Sequence, residues 1–265
     1  MPWIEAGGAA LRYARSGAGG DRPLVLIHEA GGSVESWDDF VAALPPGRSV
    51  LRYDQRGFGM SERASTLTLP GMVDDLKALL DALGIAAPCD FVGTAIGGSI
   101  ALGYAAAHPS RVASLVVTSP VTGGVSPAAR SSLEARAATL RTEGMRAVAD
   151  ASLRMSYPLA LRSDAERFAQ YRCRFLANDP IGFAAITLSF LSLDLEPMYA
   201  RIACPTLVVG CSDDPIKPPS ACAELAARLP SGRYAEIASG HFVHWQNPAA
   251  LAVAVTEFHD QLDRV

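Results

Sequence analysis

Short runs of branched apolar residues alternate along this chain with longer segments that have helical periodicity. Each run is bounded by Gly, Pro or Asp, which is typical of strands buried on both faces of a parallel sheet. The runs occupy residues 23–27, 50–53, 90–92, 115–117 and 205–209. Segments with helical spacing lie at residues 69–83, 97–108 and 249–262, and in the first of them the apolar residues share one face. The alternation predicts an α/β fold, a mainly parallel twisted sheet with helices on both faces.

One long stretch, residues 121–201, interrupts the alternation. It consists almost wholly of helix-forming residues, with turn signals where prolines stand at positions 127, 158 and 180. We expect a helical lid, inserted into a core domain made of residues 1–120 and 202–265. The insertion follows a strand end, where open α/β sheets bind ligands, so a lid over a site is favoured over extra core packing. A glycine-rich segment at 17–20 predicts a turn between two early strands.

Composition limits the classes of function. With 265 residues, 49% hydrophobic and 19% charged, the chain is suited to one large buried core. Its net charge of −4 provides no field for nucleic acid or an anionic membrane. No apolar run reaches the length of a membrane-spanning helix and no signal peptide pattern is present, so we expect a cytoplasmic protein. The five cysteines show no C-x-x-C spacing, and we expect no metal or other cofactor.

A tight turn flanked by glycines follows the third apolar run. Residues 91–98 read FVGTAIGG, a strand end, a turn from Gly93 through Ala95 to Gly97, and the start of an apolar helix. Flanking glycines let strand and helix approach closely, which exposes the central side chain above the sheet. The pattern is a G-x-S-x-G nucleophile elbow with alanine in the middle. Taken alone, it also fits a phosphate-binding turn or tight packing.

Two later segments place an acid and a histidine at the ends of further strands. Asp214 follows the run at 205–209, and His241 lies in a short loop before the last helix. A hydroxyl attacks a carbonyl at neutral pH only if a base such as imidazole takes its proton, and an acid must orient that imidazole. The order of nucleophile position, acid and histidine therefore predicts the remainder of a catalytic triad. Asp213 and His244 are the neighbouring alternatives.

A loop after the first long strand offers the remaining element of acyl-transfer chemistry. Residues 27–32 read IHEAGG, and such a loop can direct a backbone N–H at a developing oxyanion. By position, we expect this donor to be Ala30, with the N–H of Ile96 at the start of the helix as the second donor.

The chain resembles the α/β-hydrolase family over nearly its whole length, and within it the 3-oxoadipate enol-lactonase-like hydrolases. The resemblance rests on HEAGG at 28–32, YDQRGFGMS at 53–61, GTAIGG at 93–98, DP at 214–215 and GHF at 240–242. The passage from 179–183 through 194–195 to 205–206 also resembles that branch. The resemblance implies hydrolysis of a small ester, lactone, amide or activated carbonyl compound without a cofactor.

Two residues depart from the family pattern. Ala95 has no nucleophilic atom, so either a serine has been replaced or the fold performs chemistry that needs no nucleophile. Glu29 stands where the pattern normally has glycine. It points outward or pairs with an arginine, or else it is a general acid or base whose pKa is raised by burial.

The predicted lid is rich in arginine, and an inward-facing arginine would suit a substrate carboxylate. We single out Arg172 and Arg174, which lie on opposite sides of one helix, so at most one of them faces a pocket.

Three hypotheses about the function of the chain follow from these observations. The first is a hydrolase, the second a non-hydrolytic enzyme (lyase, isomerase or other proton transfer) that uses His241, Asp214 and Glu29, and the third a ligand-binding protein. Fold alone does not separate them.

Overall fold

A computed structural model describes residues 1–17 and 19–264 of the chain. Within these residues a single sheet of eight strands has the order β1-β2-β4-β3-β5-β6-β7-β8. The strands are β1 Trp3–Ala6, β2 Ala9–Ser16, β3 Gly19–Ile27, β4 Arg48–Tyr53, β5 Cys89–Thr94, β6 Val112–Thr118, β7 Thr206–Cys211 and β8 Gly232–Ile237. Strands β3 to β8 are parallel, and β1 and β2 form an antiparallel edge. The predicted fold class is confirmed; the predicted turn at 17–20 includes residue 18, outside the described residues.

Ten α-helices accompany the sheet in the described part of the chain. They are α1 Asp38–Ala43, α2 Leu69–Ala82, α3 Ile96–Ala107, α4 Pro127–Glu143, α5 Met145–Ser156, α6 Ala165–Leu176, α7 Pro180–Ser189, α8 Pro219–Arg228, α9 Val243–Gln246 and α10 Pro248–Leu262. Side-chain caps begin several of them: Thr68 accepts from Gly71 N–H at α2, and Asp179 accepts from Ile181 and Gly182 N–H at α7. Prolines at 127 and 180 occupy the first turn of α4 and α7, where no N–H is needed.

Alternate residues of the central strands bury against different helices. In β3, Val25 and Ile27 join the apolar cluster that contains residues of α2, α3 and the insertion. Their neighbours Leu24 and Leu26 join the cluster that contains residues of α1 and α10. Side chains of a strand point alternately to its two faces, so burial of both sets places the sheet between two helical layers.

The segment between β6 and β7 forms helices α4 to α7 with short 3₁₀ turns, as the composition of residues 121–201 predicts. It packs over the carboxyl ends of the parallel strands, where Phe183 of α7 meets Phe58 of the core loop with ring centroids 6.2 Å apart. Within the described ranges, no single helix is long and apolar enough to cross a membrane. Among the described helices, one pair, 165–176 and 180–192, passes the test of length and composition when the two are taken together, and this pair is bent by 88°.

Candidate active site

The turn between β5 and α3 holds Ala95 in an unusual backbone conformation. Its φ is 51° and its ψ −117°, a region that side chains other than glycine rarely occupy. A Cβ at Gly93 would lie 2.4 Å from the carbonyl oxygen of Gly97, and one at Gly97 would lie 2.1 Å from that of Ile27. Both glycines are therefore required by close backbone contacts, and the tight turn that they allow presents the methyl group of Ala95 to a cavity.

Asp214 and His241 form a buried hydrogen-bonded pair. Nδ1 of His241 lies 2.7 Å from Oδ2 of Asp214. The other carboxylate oxygen, Oδ1, accepts from the backbone N–H groups of Ile216 at 2.8 Å and Lys217 at 3.1 Å. Burial raises the pKa of Asp214, but the hydrogen bond and charge of His241 outweigh it and lower the pKa below its ordinary value. The carboxylate thus stays ionised and orients the imidazole.

Asp213 and His244, the sequence neighbours that were the alternatives to Asp214 and His241, do not belong to this pair. Asp213 is exposed and accepts a hydrogen bond from the hydroxyl of Ser212 at 2.8 Å. His244 is fully buried, with its ring centroid 4.6 Å from that of Trp37, so it packs against Trp37 of the core. Of the four candidate acids and histidines, only Asp214 and His241 are brought together at the cavity.

A cavity of about 390 Å³ lies between the strand ends and the helical insertion. Its wall is largely apolar, with Ala30, Ala95, Ile96 and His241 from the core and aromatic residues of the insertion, namely Tyr171, Phe175, Phe183 and Phe190. The volume is within the range of small-molecule sites. Ala95, His241 and both predicted oxyanion donors therefore line one cavity.

The two predicted oxyanion donors have free N–H groups. Among the described residues, neither the Ala30 nor the Ile96 N–H donates to a protein acceptor. The loop that carries Ala30 is held by His28, whose Nε2 accepts from Gln55 N–H at 2.9 Å and whose Nδ1 lies 2.6 Å from the Glu29 carbonyl oxygen. Burial lowers the pKa of His28, which keeps the ring neutral for this pairing. Both N–H groups are thus available to an acceptor in the cavity that Ala95 lines.

Glu29 occupies neither of its two predicted positions. Its carboxylate is buried, does not line the cavity, and lies 2.9 Å from Nε2 of His244. Burial raises the pKa of Glu29, but the charge and hydrogen bond of His244 and the charge of Arg174 lower it to about 2. The prediction of a raised pKa is wrong because a partner 215 residues away along the chain supplies a compensating interaction. A carboxylate that stays ionised and is not part of the cavity wall does not serve as its acid or base.

Neither arginine that the sequence singled out lines the cavity. Arg172 lies 2.7 Å from Asp150 in an exposed ion pair, and Arg174 donates to the hydroxyl of Ser36 at 2.6 Å and stacks over Trp245. The arginine in the cavity wall is Arg136 of α4, which donates to Ser152 at 2.7 Å. Burial lowers the pKa of Arg136, and no described carboxylate lies within 4.0 Å of it.

Sequence reasoning passed over two further residues beside the pair. Ser119, directly after β6, is buried and has a φ of 44°. Lys217 is half-buried and its ammonium donates to the Thr122 hydroxyl at 2.8 Å. Their position in the sequence could have identified them, because both residues follow the ends of strands at the edge of the sheet that carries Asp214.

In the described residues, no group of three or more His, Cys, Asp or Glu side chains could hold a metal ion.

Comparison with known proteins shows what this arrangement is similar to. The family model described as alpha/beta hydrolase fold matches residues 22–248. The enol-lactonase from Burkholderia xenovorans LB400 is 30% identical, with a TM-score of 0.91 over 98% of this chain and 100% of that chain. A thermophilic esterase from Thermogutta terrifontis is 25% identical, with a TM-score of 0.91 over 98% and 99%. RutD from Caulobacter sp. strain K31, provisionally named a carbamate hydrolase, is 32% identical over 91% of this chain and 92% of that protein.

Proposed function

This chain belongs to the alpha/beta hydrolase fold family, and we propose that it hydrolyses a small ester or lactone at the Asp214–His241 pair. The observation that carries the proposal is the imidazole of His241, bonded through Nδ1 to a buried ionised acid and lining a ligand-sized apolar cavity. The names of its relatives, a lactonase, an esterase and a provisional carbamate hydrolase, favour the same reaction class.

We also propose that residues 121–201 act as a lid on the core domain of residues 1–120 and 202–265. A cytoplasmic location stays a prediction.

With alanine at position 95, we propose that the nucleophile is water. Nε2 of His241 takes a proton from a water molecule as its oxygen bonds to the carbonyl carbon, and Asp214 stabilises the imidazolium that forms. The N–H groups of Ala30 and Ile96 hold the oxyanion. The intermediate then expels the alcohol oxygen, and the imidazolium returns the proton to it.

The missing nucleophile favours a second candidate, proton transfer within the substrate without addition of water. The same imidazole would remove a proton beside the carbonyl and the same N–H groups would hold the enolate oxygen. A pure ligand-binding role is disfavoured, because a binding pocket needs no oriented base. The two enzymatic candidates differ in the mass of their products.

Product analysis tests the proposal. We expect the chain as it stands to convert a five-membered lactone that bears a carboxylate into a product heavier by one water, and His241→Ala to abolish this conversion. Lys77→Ala, which changes only an exposed ion pair with Asp81, should leave it intact. A product of unchanged mass would show that the reaction is an isomerisation by proton transfer and not a hydrolysis. A ligand recovered unchanged from both proteins, across esters and lactones, would overturn the proposal.

We further propose that the substrate carries a carboxylate which binds Arg136. We expect Arg136→Met to raise KM for a carboxylate-bearing ester about tenfold with little change in kcat, because one charge-assisted hydrogen bond is lost from ground state and transition state alike. Arg130→Met is the matched control, since Arg130 is exposed and lies 3.9 Å from Glu134 on the same helix. Steady-state kinetics with a neutral ester should show no KM change, and an equal rise for the neutral ester would contradict the assignment.

A further inference from the structure

A separate cavity, of about 310 Å³, lies where the helical insertion meets the core. The loop that follows β3 contributes Gly31, Gly32 and Ser33 to its wall, and the C-terminal end of α6 contributes Arg174 and Asn178. Among the described residues, this cavity shares no wall residue with the catalytic cavity. It is therefore a second place at which a small molecule could contact this chain.

Three arginine side chains from separate parts of the fold line this second cavity. Arg12 lies on β2, Arg63 in the loop that follows β4, and Arg174 on α6. Within the described part of the chain, Glu35 is the one acidic residue of the wall. Positive charge therefore exceeds negative charge in this wall.

Glu35 and Arg12 already have partners. The guanidinium of Arg12 pairs with Glu35, and it also lies 3.1 Å from Oδ2 of Asp54. Glu35 further accepts from the hydroxyl of Ser33 at 2.6 Å. Burial raises the pKa of Glu35, but the hydrogen bonds from Arg12 and Ser33 outweigh it and lower the pKa below its ordinary value. The Glu35 carboxylate thus stays ionised and is engaged by Arg12.

The other two arginines have no carboxylate partner. Arg174 donates to the hydroxyls of Ser33 at 3.2 Å and Ser36 at 2.6 Å, and no described carboxylate lies within 4.0 Å of its guanidinium. Arg63 is exposed and makes no hydrogen bond or ion pair with the side chains that the structure describes. Two like charges that line one cavity repel each other, and an anion bound between them would turn this repulsion into attraction.

The C-terminal end of α6 adds partial negative charge to the wall, because the last carbonyl groups of a helix lack helical donors. Nδ2 of Asn178 donates to the carbonyl oxygens of Arg174 at 3.0 Å and Phe175 at 3.3 Å. It also donates to that of Gly31 at 3.1 Å, which ties α6 to the loop. These carbonyl groups are thus partly satisfied, and the two free guanidinium groups dominate the charge of the cavity.

We propose that this second cavity binds a small phosphate monoester, with its phosphate group between Arg63 and Arg174. A phosphate monoester has a charge near −2 and three terminal oxygens, so it can accept from two guanidinium groups at once. A carboxylate has one charge and two oxygens, which one arginine fork satisfies. The volume of 310 Å³ lies at the lower end of the roughly 300–1,000 Å³ of small-molecule sites, which suits a phosphate with a short organic group.

Calorimetric titration tests this proposal without any turnover. Glycerol 3-phosphate would be compared with glycerate, which has a similar hydroxylated chain that ends in a carboxylate, at about pH 8, where the phosphate is fully ionised. We expect glycerol 3-phosphate to bind about tenfold more tightly, the effect of one added charge-assisted hydrogen bond. Arg63→Gln should weaken glycerol 3-phosphate by about the same factor. Because Arg63 is exposed and makes no bond to the described side chains, we expect this variant to fold, and circular dichroism would verify it.

Two control variants separate this site from general charge effects and from the catalytic cavity. Arg15 is exposed on β2, the strand of Arg12, and is not part of the wall, so Arg15→Gln should leave the affinity within about twofold. Arg136→Met, in the catalytic cavity, should also leave it within about twofold.

The proposal is overturned if glycerol 3-phosphate binds no more tightly than glycerate, or if Arg15→Gln weakens it as much as Arg63→Gln does. Loss of binding in Arg136→Met would also overturn it, because the phosphate would then lie in the catalytic cavity. A selective loss in Arg63→Gln upholds it whether or not the chain hydrolyses any ester, so this proposal does not rest on the proposed function.

Discussion

Replacing Ala95 with serine is expected to raise kcat for hydrolysis of a lactone or nitrophenyl ester by on the order of 10³-fold. Serine would add the hydroxyl that the retained pair is arranged to activate, and loss of such a nucleophile costs serine hydrolases at least this much. The backbone at φ 51° already accommodates a Cβ, so the change adds only an oxygen on the cavity side. Stopped-flow assays with a nitrophenyl ester would measure the rate of hydrolysis, and a burst of nitrophenol would indicate that an acyl-enzyme forms.

A matched control for Ala95→Ser is available in the same cavity. Ala151 of α5 also lines it, so Ala151→Ser adds a hydroxyl away from the elbow and should leave the rate unchanged. Combining Ala95→Ser with His241→Ala should remove the gain, since the hydroxyl then lacks its base. A folded Ala95→Ser variant with no gain would count heavily against a hydrolytic site and in favour of proton-transfer chemistry.

The parts of the site that the sequence predicted are those marked by a local pattern at the end of a strand. Gly93 and Gly97 mark the elbow because their close backbone contacts arise within a few residues of the turn or against the neighbouring strand. Asp214 and His241 follow strands, and the carboxyl ends of parallel strands meet at one edge of a sheet. The alternation of apolar runs and helical segments was enough to predict this edge.

The parts that the sequence could not predict depend on partners far away along the chain. The charge state of Glu29 is set by His244, and no local pattern links the two. Arg136 belongs to an insertion with many arginines, and which of them faces the cavity depends on how α4 is rotated against the sheet. Helical periodicity does not fix that rotation when, as in α4, few residues of the helix are buried.

Removing the carboxylate of Glu29 is expected to lower the free energy of unfolding by about 3 kcal/mol at pH 7. The pKa of Glu29 is lowered from 4.5 to about 2, and each unit is worth about 1.4 kcal/mol. Because the folded-state pKa is depressed, this stabilisation is fully present above pH 4.5 and is lost as the pH falls toward 2. Glu29→Leu keeps a similar volume, and we expect its melting temperature to fall by about 10 °C. Urea unfolding from pH 7 to pH 3 should show the difference from the unmodified chain narrowing as the pH falls.

The same interaction predicts non-additivity, because the cost comes from a buried group left without its partner. His244→Phe alone should also destabilise the chain by about 3 kcal/mol, by leaving the Glu29 carboxylate buried and unpaired. The double variant Glu29→Leu/His244→Phe should recover most of the loss, since an apolar pair of similar volume needs no compensation. Glu134→Leu, which removes an exposed carboxylate, should cost less than about 0.5 kcal/mol. Fully additive losses in the double variant, or a Glu29→Leu deficit that does not change with pH, would show that packing rather than charge holds this residue in place.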